Sequence, residues 1–170
     1  MVASSSELSG LEFNSQYFWR VKPINSCGEG AYSEVGTFRT FTVNCRTYSA
    51  AELPIQISDA IGGLPKTTLV NLDIFDQVVI QDINVNVSID HSYIEDISLF
   101  LITPDNDRIK LSQNIGGSQD DYQQTVFDQE SPNPIVFALA PFNGNFRPLE
   151  DLSALNGNYL KGRWRLEVQD

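Results

Sequence analysis

The sequence predicts an all-β protein, a β-sandwich preceded by a partial β-hairpin, and three observations carry that prediction. Ile83, Val85, Val87 and Ile89 alternate with Asp82, Asn84, Asn86, Ser88 and Asp90, the period of two that gives a strand one apolar face and one wet face. The other apolar runs are short, rich in β-forming residues and punctuated by Gly, Pro, Asn and Asp. Helical spacing of apolar residues is hard to find anywhere. With 41% hydrophobic and 11% aromatic residues the chain can fill a core, which excludes a disordered tail.

Taken in order, residues 1–40 form a separate piece. Tyr17, Trp19 and Val21 alternate with Phe18, Arg20 and Lys22 to make a strand. Pro23 to Ala31 supplies a loop, and Tyr32 to Thr40 returns as a second strand. The run SQYFWRVKPINSCGEGAYSEVGTFRT resembles the last two strands of a fibronectin type III domain, which implies Trp19 as a core anchor. The earlier strands of such a sandwich are missing here. A lone hairpin is marginal in water, so the expectation is a mobile piece, one packed on the following domain, or one that self-associates through its exposed edge.

Residues 41–54 read as a linker. The chain has two cysteines, Cys27 in the hairpin loop and Cys45 in the linker. One disulfide in an exported protein and two free, partly buried thiols are both compatible with that count.

Residues 55–170 read as the sandwich domain. Thr67 to Leu72 is a strand, and Asp76 to Ile80 leads into the alternating segment. After a polar break at Asp90 to Asp96, the run Ile97 to Ile102 is a second strand of the meander. Pro104 to Asp107 then turns the chain into Arg108 to Leu111, with Asn106 suited to a left-handed backbone. Gly116 to Asp121 is an acidic loop, and Thr125 to Asp128 a short strand. Ser131 to Pro148, with four prolines, is expected to run extended over the surface. The closing strand points Trp164, Leu166 and Val168 inward and Arg163, Arg165 and Glu167 outward. Trp164 is the second expected core anchor.

The alternating strand, then HSYIEDISLFLITP, then Thr125-x-Phe127-Asp128, Leu152-Ser-Ala-Leu-Asn-Gly157 and Gly162-Arg-Trp-Arg-Leu-Glu-Val-Gln-Asp170 resemble, in that order, the P domain (Homo B domain) of proprotein convertases and their bacterial relatives. The resemblance covers roughly Leu53 to Asp170. It implies a jelly-roll sandwich, a secreted or cell-surface setting, and a catalytic peptidase domain in the same polypeptide as partner. It further implies a truncated carboxy-terminal strand, since in that family more sequence follows the last segment matched. The parent, by the same resemblance, is a subtilisin-like serine endopeptidase or a bacterial metallopeptidase.

Chemistry of its own is not expected of this segment. The net charge of −11 repels phosphate backbones, which argues against nucleic acid as partner. No run approaches the roughly 20 apolar residues of a membrane span, and residues 1–6 lack the basic start and apolar core of a signal peptide, so Met1 reads as the start of a fragment. His91 lies between Asp90 and Ser92, but neighbours in an extended chain point to opposite faces, which defeats a triad. One His and two distant Cys do not make a zinc site.

Calcium is the expected cofactor, because acidic residues gather in loops that adjacent strands can bring together. The resemblance favours Asp96 and Asp128, and Asp90, Glu95, Asp120 and Asp121 complete the candidate set. The alternative function is a cell-surface module binding carbohydrate or protein through Tyr48, Tyr93, Tyr122 and Tyr159. That reading needs three or more of them on one groove.

Overall fold

The computed structural model describes residues 8–12, 14–40 and 45–170. The chain divides into two compact units, Met1–Thr47 and Tyr48–Asp170. Linker positions 41–44, and residues 1–6 with the reading of Met1 as a fragment's start, lie outside the described residues.

In the first unit, β1 (Gln16–Trp19) runs antiparallel to β4 (Gly36–Arg39), and a small ladder of β2 (Ile24–Asn25) with β3 (Gly28–Glu29) closes the loop between them. Tyr17 is half-buried and stacks on Phe38 at 5.6 Å. Trp19 is not the core anchor the sequence suggests. It is 50% exposed and lies against Gly36, because the described residues of its own unit form only two-stranded ladders. Cys27 and Cys45 are both exposed free thiols, so the bridge entertained from sequence is not formed.

The second unit is the all-β sandwich that the sequence predicts. One antiparallel sheet has the order β5 (Thr67–Ile74), β11 (Gly162–Gln169), β7 (Ser98–Ile102), β8 (Arg108–Gln113). The other has the order β10 (Phe142–Phe146), β9 (Tyr122–Phe127), β6 (Val85–Ile89). The core between them takes alternate residues from each strand: Leu99 and Leu101, Trp164 and Val168, Val87 and Ile89. Trp164 is 4% exposed and its indole N–H donates to the Leu160 carbonyl at 2.7 Å, so burial leaves no donor orphaned.

Asn106 has φ of 69° at the β7–β8 turn, where the Asp107 N–H donates to Thr103 Oγ1 at 3.0 Å. Two features depart from expectation. The proline-bearing segment is not simply a surface excursion, for β10 lies within it, pairs parallel to β9 and buries Phe142 completely. The prolines flank that strand rather than enter it, which is why its ladder survives. Glu167 faces away from the core as expected, yet is only 8% exposed, and Leu166 is half-buried.

Candidate functional site

His91 is held by groups distant in sequence. Its Nε2 lies 3.6 Å from Asp170 Oδ1, and its backbone N–H donates to Asp121 Oδ1 at 2.9 Å. Asp170 Oδ2 in turn accepts from the Ala60 N–H at 3.2 Å. The histidine therefore joins the loop after β6 to the end of β11. Its carboxylate partner is Asp170, not the adjacent Asp90. Such an arrangement braces a loop.

The six residues expected to hold calcium do not form one cage. Asp90, Glu95, Asp96 and Asp120 are exposed. Asp121 is committed to the His91 backbone, and Asp128 Oδ1 accepts from the Glu130 N–H at 2.9 Å. The acidic neighbours of Glu130 are Asp82 and Asp128: desolvation first, then the charge of these two, holds the Glu130 carboxyl above its ordinary range. Among the described residues, no three His, Cys, Asp or Glu side chains come together in a group able to hold a metal ion. Calcium takes six to eight oxygens, and the six candidate carboxylates do not by themselves gather into such a shell.

The four tyrosines do not share a groove either. Tyr122 is 1% exposed and Tyr48 half-buried, its hydroxyl 2.7 Å from Asp76 Oδ2. Only Tyr93 and Tyr159 face solvent.

The feature that does stand out is apolar. Between β9 and β10 the chain makes a 3-10 turn, Ile135–Phe137, with Ile135 fully buried and its N–H bonded to the Arg147 carbonyl at 2.9 Å. Plugging Ile135 inward turns its successors outward: Val136, Phe137 and Leu139 are 49%, 83% and 86% exposed. Beside them lies an open groove of about 250 Å³, lined by Pro132, Pro134, Phe137, Ala138 and Phe146. Leaving a large apolar side chain in water forgoes roughly 1.5–3 kcal/mol each. Together they form an exposed apolar patch on a well-anchored turn. Sequence reasoning passed over it, although the run IVFALA between Pro134 and Pro141 was a visible sign.

A match to the proprotein convertase P-domain family model spans residues 80–170, more than half of the chain and all of β6 through β11. The chain belongs to the proprotein convertase P-domain family. P domains are non-catalytic, are normally attached to a catalytic peptidase domain, and are typically found in extracellular proteins. No curated protein and no solved structure matches the chain. Among the described residues no helix is long and apolar enough to cross a membrane.

Proposed function

We propose that this P-domain chain is a non-catalytic accessory module of a secreted multidomain peptidase, of the subtilisin-like serine or the bacterial metallopeptidase type. Its role is to stabilise or regulate the peptidase domain of the same polypeptide. The observation that carries this reading is the turn bearing Val136, Phe137 and Leu139, whose exposed area asks for a protein partner. The tyrosine placement lends no support to a carbohydrate groove.

The test is co-expression with the parent peptidase domain. Replacing Phe137 and Leu139 by Asp is expected to shorten the half-life of peptidase activity on heating by about tenfold or more, the scale of a lost interface anchor. The module itself, whose core those side chains do not enter, keeps its melting temperature. Unchanged inactivation kinetics in the variant would remove the turn as the docking surface. Loss of the module's own folding would show that the two residues are structural instead.

A further inference from the structure

The outer face of the four-stranded sheet carries charge of the opposite sign to the rest of its unit. Strand register puts Arg163, Arg165 and Glu167 of β11 on that face, with Asp73 across on β5 and Phe100 and Ile102 across on β7. From β8, Arg108 and Lys110 stand opposite Ile102 and Phe100 and join them. Residues 48–170 hold seven basic and eighteen acidic side chains, a net charge of −11. Four of the seven basic residues are on this one face, against two carboxylates, a net charge of +2. The remainder of the unit then carries three basic and sixteen acidic residues, a net charge of −13.

Two of the four cations are already neutralised. Asp73 takes Arg163 in a two-pronged pair at 2.7 and 2.9 Å, and Glu167 takes Arg108 likewise at 3.1 and 2.8 Å. The other two are not, for neither Arg165 nor Lys110 forms an ion pair among the described residues. Arg165 is pinned by an amide instead, its Nη2 donating to Asn106 Oδ1 at 2.5 Å, and its buried Nε has no partner. The nearby Glu150 carboxylate is engaged by the Lys110 backbone N–H at 2.6 Å. Asp105 and Asp107 line a separate small cleft with Leu155, Tyr159 and Trp164.

We infer that this face is a docking surface for an acidic patch on another protein domain, received by Arg165 and Lys110. The cations stand on hydrogen-bonded strands, so little ordering remains to be done on binding. Leu69, 44% exposed on the same face of β5, adds an apolar contact beside them. The strongly acidic surroundings select the partner's shape. They repel an extended polyanion, which must cross them, but not a compact carboxylate patch confined to the sheet face. This surface is distinct from the turn at Phe137, and its test needs no peptidase.

The experiment titrates the isotope-labelled chain with a capped diglutamate peptide, compact enough to stay on the sheet face, and separately with a heparin-derived oligosaccharide as the extended polyanion, following amide chemical shifts at low and high salt. The expected result is a peptide-induced change centred on Asn71, Arg108, Lys110, Arg165 and Glu167. It weakens about tenfold or more at high salt, and by about tenfold in K110Q and in R165Q. An Arg147→Gln control binds as the wild type does. If R165Q fails to fold, K110Q, at a half-exposed position, decides alone. No shift change, changes centred on Lys66, Arg147 or Lys161, or tighter binding of the oligosaccharide at the same residues would each overturn the inference.

Discussion

Tyr122 shows how a single buried polar group couples this fold to pH. Its ring packs 4.9 Å from Phe142 and its hydroxyl lies 2.8 Å from Ser112 Oγ. Burial pushes the phenol up to about 12, against an ordinary value of 10.0, with the Ser112 contact opposing weakly. The folded state therefore holds this proton more tightly than the unfolded chain does. The stabilisation is complete below the unfolded value and is lost as pH rises through the folded one, a swing of roughly 2–3 kcal/mol. Stability should accordingly fall between pH 10 and 12, with one tyrosine titrating late in phenolate absorbance. Tyr122→Phe should abolish that late titration, and costs about 1–2 kcal/mol at neutral pH for the lost hydrogen bond.

A second residue-scale case is Glu167, which the alternation of β11 correctly turns away from the core. Its ion-pair partner, Arg108, lies 59 residues away in sequence. Arg108 lies with its guanidinium carbon 3.2 Å above the Phe100 ring, and Glu167 and Gln169 complete the cover. That lid explains how Phe100 is 2% exposed while standing outside the sandwich core. Glu167→Ala should destabilise by about 1–3 kcal/mol. A double-mutant cycle with Arg108→Ala should return a coupling of about 1 kcal/mol or more in chemical denaturation. Independent, additive effects would mean that the lid is only packing.

At the scale of elements, β6 and β11 were legible because a half-buried strand writes its faces into a period of two, and β7, buried along nearly its whole length, because it is a short unbroken run of β-formers. β10 was not. Phe142, Gly144 and Phe146 do alternate, but Pro132, Pro134, Pro141 and Pro148 surround them, and parallel pairing to β9 needs no local turn to announce it. The loop before β9 depends on Gly116, which has φ of +107°. A Cβ there would collide with Ile94 Cγ2 and stand 3.0 Å from the Phe142 ring. Gly116→Ala is thus expected to cost about 2–4 kcal/mol through strain and overpacking, measured as a shifted denaturation midpoint. A change below about 0.5 kcal/mol, within the range of neutral surface substitutions, would show the loop free to move.

For the whole molecule, the acidic surface is where expectation and geometry part. Clustering along the sequence suggested a calcium site, yet the carboxylates of Asp96, Asp121 and Asp128 are not gathered into one group. The melting temperature should therefore agree, to within about 1 °C, between millimolar calcium and chelator. A rise of several degrees would mean that carbonyl and amide oxygens complete a cation site that the side chains do not.

By itself the sequence determined the all-β class, the inward faces of β6 and β11, the left-handed Asn106 and the family to which residues 80–170 belong. Each of these is written locally, in a period, a turn residue or an ordered string of motifs. Only the tertiary structure decided that His91 answers to Asp170, that Arg108 roofs Phe100, that Trp19 stays in water, and that four cations share one sheet face. Those relations depend on which strand lies beside which and in what register, and a period of two is the same for every neighbour a strand could have.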